Sequence, residues 1–474
     1  MNVLFCSSEG LPYIMSGGLG DVAGALPKAM NAAGVDCRVI LPLYSDIKPE
    51  LRAKMEFMGS FYVPVGWRNQ YCGLYSAVSG NVTAYFLDNE FYFKRKGLYG
   101  YGDDAERFAF FSRAILEALY HMDFTPDIIH ANDWQTALVS VYLNQFYRND
   151  ARFARIKTLF TIHNIQYQGQ YGMQLLGDVV DVAPENSYVV EYNNCINYMK
   201  GAIESSDRVN TVSPTYSREI MRPEYGHELD PLLRERAFKV CGIVNGIDVE
   251  VYNPETDPAL VANYTAANVV EGKAACRADI CELFGLENDD APIVGMVSRL
   301  VDHKGFDIVR QVGESLINSG MKICLLGTGD PEFEEYFRWL ADAYPGRCGV
   351  KIAFKPDLAH KIYAGADIFL MPSLSEPCGL AQMVALRYGT IPIVRETGGL
   401  KDTVQDSFDG TGNGFTFADY NAGALLYTCL RARDGFADKE GWNALVQRAM
   451  AADHSWAASC GDYMALYEEM LRLW

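Results

Sequence analysis

The sequence predicts an α/β protein made of two doubly wound domains that face one another across a cleft. Three observations predict it. A chain of 474 residues is long enough for two or three domains at roughly 150 residues each. Short apolar runs alternate with helical patterns almost throughout, which is the signature of βαβ units and parallel sheets. The alternation also lapses once near the middle and then begins again.

In the first half the expected strands are Val3–Cys6, Cys37–Leu41, Thr83–Leu87, Ile128–His130, Thr158–Thr161 and Arg208–Val212. Helical patterns fall between them at Asp21–Ala33, Ala105–Tyr120, Gln135–Phe146 and Ile196–Ser205. The second half repeats the scheme, with strands at Ile293–Val297, Lys322–Leu326, Val350–Phe354, Ile368–Met371 and Ile391–Val394. Its helices are expected at Phe306–Ile317, Pro331–Ala343, Leu380–Tyr388 and Ala422–Arg431. Between the halves, from about Gly246 to Gly272, turn pairs such as Asn253-Pro254 and Asp257-Pro258 interrupt the rhythm and predict a hinge. The expected domains are therefore 1–243 and 244–455. A last helix within 456–474, with no strand after it, is expected to pack back on the first domain. Ligands of such sheets bind outside the carboxyl ends of the strands, which here places the site in the cleft.

Hydrophobic residues make up 49% and charged residues 21%, so large packed cores are feasible. A formal net charge of −19 argues against a nucleic-acid partner and suits a neutral polymer substrate. An anionic small molecule would need a local positive cluster set against that field. No apolar run reaches the ~18 residues of a membrane span, and the opening MNVLFCSSEG reads as a first strand rather than a signal peptide. Twelve cysteines are scattered from Cys6 to Cys460 without a C-x-x-C pair or zinc-like spacing, so reduced thiols and a cytoplasmic location are expected.

Five segments at strand ends stand out. Ser16-Gly17-Gly18-Leu19-Gly20-Asp21-Val22 follows the first strand and opens a helix, where bare backbone and free N–H groups attract phosphate. A glycine turn that merely packs helix on sheet is the plain alternative. Ser298–Gly305 places Arg299 and Lys304 after a strand of the second half, a planar fork and a compact charge for phosphate oxygens; two surface cations are the alternative. In Ser375–Gln382, Glu376 can accept from sugar hydroxyls while the N–H groups of Cys378, Gly379, Leu380 and Ala381 face an anion, against an ordinary helix start. His130-Ala131-Asn132-Asp133-Trp134-Gln135 and Thr161–Gly169 set a histidine among polar and aromatic groups that suit carbohydrate. A lone histidine at a strand end is more often simply packed. One short echo, Thr397-Gly398-Gly399-Leu400-Lys401-Asp402, resembles Ser16–Asp21.

In this order these segments resemble the bacterial glycogen synthase and plant starch synthase family of retaining glucosyltransferases, from Val3 to about Tyr467. Collinear with them are Leu98-Tyr99-Gly100, Glu106-Arg107-Phe108, Thr211–Tyr216, Val244–Asp248, Gly327–Pro331 and Arg387–Thr390. The resemblance implies the GT-B fold of two Rossmann-like domains. It implies transfer of glucose from ADP-glucose, less often UDP-glucose, to the non-reducing 4-hydroxyl of an α-1,4-glucan such as glycogen. It implies no metal and no other cofactor. It gives Arg299 and Lys304 the donor diphosphate and Glu376 the donor glucose, with backbone bonds from Cys378, Gly379 and Leu380. His163 takes the glucose 6-hydroxyl. Ser16, Gly17, Gly18 and Asp21 lie against donor sugar and phosphate, Asn245 lies near the glucose, and Asp133 and Trp134 belong to the acceptor side. Three positions depart from the pattern. Met15 stands where the family usually has Lys, which removes one cation near the phosphates; Phe354 replaces a Tyr that stacks on the base; Arg277 replaces a Lys.

Cleaving the bond from anomeric carbon to phosphate oxygen builds positive charge on the sugar and negative charge on the diphosphate, so fixed donors are the main catalytic requirement. The expected route is same-face substitution, in which the departing phosphate oxygen takes the proton of the attacking 4-hydroxyl. A two-step route through Glu376 is the rival. A dehydrogenase would need G-x-G-x-x-G, which Gly17-Gly18-Leu19-Gly20 does not fit. A different GT-B enzyme and a glucan-binding homologue without turnover complete the alternatives.

Overall fold

The computed structural model describes residues 1–472; Leu473 and Trp474, the expected end of the last helix, lie outside the described residues. The chain divides into two compact units. Unit 1 comprises Met1–Gly246 and the chain from Trp456 onward, and unit 2 comprises Ile247–Ser455.

Among the described residues unit 1 contains twelve strands: β1 (Asn2–Cys6), β2 (Asp36–Pro42), β3 (Glu56–Val65), β4 (Arg68–Ser79), β5 (Val82–Asp88), β6 (Ile128–Asn132), β7 (Lys157–Ile162), β8 (Gln170–Gly172), β9 (Glu191–Tyr192), β10 (Cys195–Asn197), β11 (Arg208–Thr211) and β12 (Val240–Gly242). Nine form one sheet in the order β12-β11-β7-β6-β1-β2-β5-β4-β3. It is parallel except where β4 pairs antiparallel with both β3 and β5. Val3, Leu4, Phe5 and Cys6 of the central β1 are fully buried, as a parallel strand covered on both faces must be. The chain order reverses between β1 and β6, so the carboxyl ends of these two strands and of neighbouring β7 frame the crevice of this sheet.

The helix Trp456–Arg472 packs against the helix Gly18–Ala32. Its Tyr467 hydroxyl lies 2.7 Å from His130 Nδ1, and Thr161 Oγ1 lies 2.6 Å from His130 Nε2. His130 is thus a packed, satisfied histidine. The antiparallel hairpin β3–β4 is absent from the sequence expectation. At its turn Gly66 has φ +55, and a Cβ there would stand 2.2 Å from the carbonyl oxygen of Asp178, so glycine is required. Two expected helices differ in detail. Gln135–Phe146 is split into the 3-10 turn Trp134–Thr136, the helix Leu138–Tyr142 and a π turn over Leu143–Tyr147. Ile196 and Asn197 belong to β10, and the helix starts at Tyr198 because the Asn197 side chain caps Lys200 N.

Unit 2 has six parallel strands: β13 (Ile293–Val297), β14 (Lys322–Gly327), β15 (Cys348–Ile352), β16 (Ile368–Met371), β17 (Ile391–Arg395) and β18 (Phe415–Phe417). Their order is β15-β14-β13-β16-β17-β18, the doubly wound arrangement whose reversal point lies between β13 and β16. The third strand sits two residues earlier than expected, which leaves Phe354 beyond its end.

The expected hinge needs correction. From Ile247 onward the segment is folded onto unit 2 rather than free. Arg387 donates to the carbonyls of Tyr252 (2.5 Å) and Val249 (3.2 Å), and the Tyr264 hydroxyl donates to Tyr388 O at 2.8 Å. Buried Asp257 accepts from Tyr388 and pairs with His360 Nδ1 at 2.6 Å. Turn residues broke the strand–helix rhythm, but side-chain anchors still fix the path, and a helix already begins at Val269. Among the described residues no helix is long and apolar enough to cross a membrane.

Candidate functional site

In unit 2 the candidate residues collect at the carboxyl ends of β13 and β16, on either side of the reversal point. The loop after β13 lies directly on the loop after β14. Leu300 N donates to Thr328 O at 2.9 Å, and a Cβ on Gly327 or Gly329 would stand 2.0 or 2.1 Å from the carbonyl oxygens of Ser298 and Leu300. Bare glycine backbone therefore seats the Arg299 loop. The Arg299 side chain is exposed, and its guanidinium has no partner among the described residues. At Gly305 the backbone takes φ +83 and approaches so close that a Cβ would stand 2.2 Å from Pro372 O. This contact joins the loops after β13 and β16, and Lys304 Nζ reaches Glu376 Oε2 at 2.6 Å. Glu376 is 6% exposed, and its Oε2 also accepts from Ser373 Oγ at 3.2 Å.

Beneath this loop lies the echo segment. Gly398 has φ +45, and a Cβ there would stand 1.9 Å from Glu376 O; one on Gly399 would stand 2.3 Å from Cys378 O. Gln382 Nε2 donates to the carbonyls of Cys378 (3.1 Å) and Gly379 (2.9 Å). In a trans peptide the following N–H points opposite to the carbonyl, so the N–H groups of Gly379 and Leu380 face away from Gln382, at the start of the helix Ala381–Arg387. Burial first, then the charges of Lys304 and Arg299, opposed by Glu376 and Asp302, hold His303 below the usual histidine value. Phe354 is 86% exposed, an open ring beyond β15. Arg277 is not in this group; it pairs with Asp367.

In unit 1 the turn after β1 has two kinds of glycine. A Cβ on Gly20 would stand 2.5 Å from Met15 Cβ, so that glycine serves packing. A Cβ on Gly17 or Gly18 would meet nothing within 4 Å, and Gly17 has an extended φ of −161 that any residue adopts. Neither internal packing nor backbone conformation calls for glycine at these two positions. Ser16 is less available to a ligand than expected: its N–H donates to the buried carboxylate of Glu9. Burial raises the Glu9 carboxyl, and bonds from Ser16 and Gly17 partly offset the rise. Asp21 lies half-buried in the first helical turn, and Met15 is 41% exposed.

At the ends of β6 and β7, Asp133 Oδ1 accepts from His163 N at 2.8 Å and Asn164 N at 3.4 Å. His163 Nε2 lies 2.9 Å from Asn132 Oδ1, and burial lowers that ring to about 3, so it is neutral. Trp134 is half-buried, edge-on to Phe108 at 5.0 Å, and a Cβ on Gly169 would stand 2.7 Å from its ring. Asn245 is buried, and its Oδ1 has no partner among the described residues. The structure thus brings Lys304, Glu376 and the Cys378–Leu380 loop together in unit 2, and His163 and Asp133 in unit 1. Sequence reading missed Glu9, Ser373 and the contact of Asn132 with His163. Asn132 lay inside a motif already singled out, and Glu9 was signalled only by a carboxylate just after β1.

Asp133 combines φ +54 with ψ 179, a region most side chains avoid, and desolvation pushes its carboxyl up to about 7. The folded value exceeds the unfolded value of about 3.9. The protonated form is therefore favoured by folding, and stability is lost as pH rises from about 4 through 7. Asp133→Asn keeps the acceptor, shares the backbone strain and removes the titrating carboxyl. Its melting temperature should exceed that of the parent by roughly 2–4 °C more at pH 8 than at pH 5. Thermal melts at the two pH values check this, and an equal difference at both would refute it.

Comparison with known proteins agrees with this arrangement. The starch synthase catalytic domain family matches residues 2–235, and the glycosyl transferases group 1 family matches residues 284–428. The glycogen synthase of Bacillus anthracis is 48% identical over 476 residues, covering 99% of this chain and all of the relative. That of Geobacillus thermodenitrificans is 49% identical, covering 100% of this chain and 98% of its own. The solved catalytic domain of starch synthase IV from Arabidopsis thaliana, bound to ADP and acarbose, superposes with a TM-score of 0.91 at 33% identity, over 99% of both chains. Sucrose-phosphate synthase from Thermosynechococcus elongatus, at 18% identity and a TM-score of 0.62 over 99% of this chain and 98% of its own, shares the fold. Two glycosyltransferase domains on parallel sheets, matched end to end by these relatives, place the chain in the glycogen synthase family of GT-B glycosyltransferases.

Proposed function

We propose that the protein transfers glucose from ADP-glucose, or UDP-glucose, to the non-reducing 4-hydroxyl of an α-1,4-glucan with retention of configuration. The observation that carries this reading is the joined pair of loops in unit 2, where Lys304 holds buried Glu376 at 2.6 Å beside an Arg299 whose guanidinium has no partner among the described residues. Two cations and the outward N–H groups of Gly379 and Leu380 form a diphosphate cradle, and Glu376 beside it receives glucose hydroxyls. The ADP and acarbose in the Arabidopsis relative support a nucleoside diphosphate and a glucan-like chain as the two ligands. Phe354 stacks on the base, and the open backbone at Gly17 and Gly18, with Asp21 and Asn245, belongs to the donor-binding set. Asp133 and Trp134 serve the acceptor.

As the glycosidic phosphate bond breaks, charge grows on the diphosphate, where Arg299 and Lys304 stabilise it. The departing oxygen takes the proton from the attacking 4-hydroxyl on the same face of the sugar. Glu376 is paired with Lys304 and accepts from Ser373, which suits a binding carboxylate better than a nucleophile; trapping a glucosyl-Glu376 ester would reverse that assignment. Twelve free thiols suit a cytoplasmic enzyme.

The test is transfer to glycogen from each donor separately, with Met15→Lys alongside. Transfer with α-1,4 linkage is expected. A cation restored near the phosphates should raise kcat/KM about tenfold, the low end for a charged hydrogen bond. Glycogen binding without transfer from either donor would refute the enzyme in favour of a glucan-binding homologue.

A further inference from the structure

Asn132 closes β6 and is fully buried. Its amide nitrogen is committed to the main chain, donating to Cys6 O at 3.0 Å and His130 O at 3.2 Å. Carbonyl oxygens only accept, so they determine which end of the amide is oxygen. That oxygen stands 2.9 Å from His163 Nε2 and has no proton to give, so Nε2 must carry one. Burial, at a value of about 3, leaves the ring a single proton at neutral pH, and Nδ1 is therefore bare. The ionisable neighbours do not change this. His130, packed on Thr161 and Tyr467, is itself held neutral by burial. The Asp133 carboxyl takes the main-chain N–H of His163, and Glu9 raises that carboxyl.

We propose that Asn132 is a positioning residue that sets specificity: by accepting from Nε2 it locks His163 with Nδ1 as an acceptor, which selects a sugar hydroxyl over a carboxylate or phosphoester at the same carbon. The inference rests on the reading of His163 as facing the donor sugar's 6-hydroxyl. A hydroxyl donates to bare Nδ1 and completes the pair. An ionised carboxylate offers only lone pairs, so two acceptors face each other in a desolvated site, and such a mismatch is a strong basis for rejection. A histidine free to choose its tautomer would turn an N–H toward either group and lose that discrimination.

The test uses the full chain labelled with 15N-histidine and long-range 1H–15N spectra. The loss of one signal set in His163→Gln identifies His163 among the seven histidines. His163 is expected to show the Nε2–H pattern unchanged from pH 8 to pH 5.5. Asn132→Leu, similar in size but with no acceptor, should show mixed tautomers. Its kcat/KM for the glucosyl donor should fall about tenfold, and its preference over the nucleotide-glucuronate should narrow by a similar factor. Asn132→Asp, a second variant of the same shape, should bring His163 into titration within that pH window. An Nδ1–H or doubly protonated His163 in the parent would overturn the proposal, as would an unchanged Nε2–H pattern in folded Asn132→Leu. If the lock is found but no glucose is transferred by the parent, the functional reading falls instead, and with it the selection. Transfer without the lock sinks this inference alone.

Discussion

Arg299→Ala should lower kcat/KM for the nucleotide-glucose by about 100- to 1,000-fold while leaving the melting temperature unchanged. The guanidinium has no partner among the described residues, so folding loses nothing with it. A fixed charge aimed at a developing oxyanion, by contrast, is typically worth two to three decades in rate. Arg299→Lys should recover part of the loss, because charge returns without the planar fork. Lys304→Met should be at least as severe for activity and should also reduce stability, since it strips Glu376 of the ammonium 2.6 Å away and leaves a buried carboxylate with one weaker partner. Steady-state kinetics beside thermal melts separates the two variants. An Arg299→Ala enzyme within threefold of the parent would remove Arg299 from the diphosphate.

The second large effect distinguishes glycines that look alike. Gly398→Ala places a methyl 1.9 Å from Glu376 O at φ +45, so the 376–378 loop must move and the backbone is strained as well. A loss on the order of 2 kcal/mol or more in stability is expected, with activity down more than about 100-fold. Gly17→Ala meets nothing within 4 Å, so its melting temperature should stay within about 1 °C of the parent. Its donor KM should nevertheless rise about tenfold, because a methyl occupies the space a phosphate or sugar needs. Equal kinetics for Gly17→Ala and the parent would show that this open backbone receives no ligand.

Strands buried on both faces were the most legible part of the fold. Ile293–Val297 and Ile368–Met371 were readable to the residue, because burial on both sides writes a continuous apolar run. The hairpin β3–β4 was not, since Phe57, Met58 and Tyr62 are exposed and blur the alternation that marks a half-buried strand. Residues at strand ends, such as Arg299, Lys304 and Glu376, could be found from the pattern strand, polar loop, helix. Pairings across the sheet could not. Nothing in sequence spacing joins Asn132 to His163, because the contact depends on β6 and β7 lying side by side. The two Gly-Gly-Leu segments read alike, yet one is wedged under a loop and the other is open.

The path of the chain has a consequence for biosynthesis. Unit 2 begins and ends at the same spot, where Ile247 N donates to His454 O at 2.8 Å and Ile247 bridges Ser455. Unit 1 is written in two pieces, and the helix that presents Tyr467 to His130 is made only after unit 2. A nascent chain can therefore finish unit 2 while unit 1 still lacks a helix and the buried His130 lacks its Tyr467 partner. Synthesis order and completion order are opposite, so a premature stop just after unit 2 would damage the unit that was translated first.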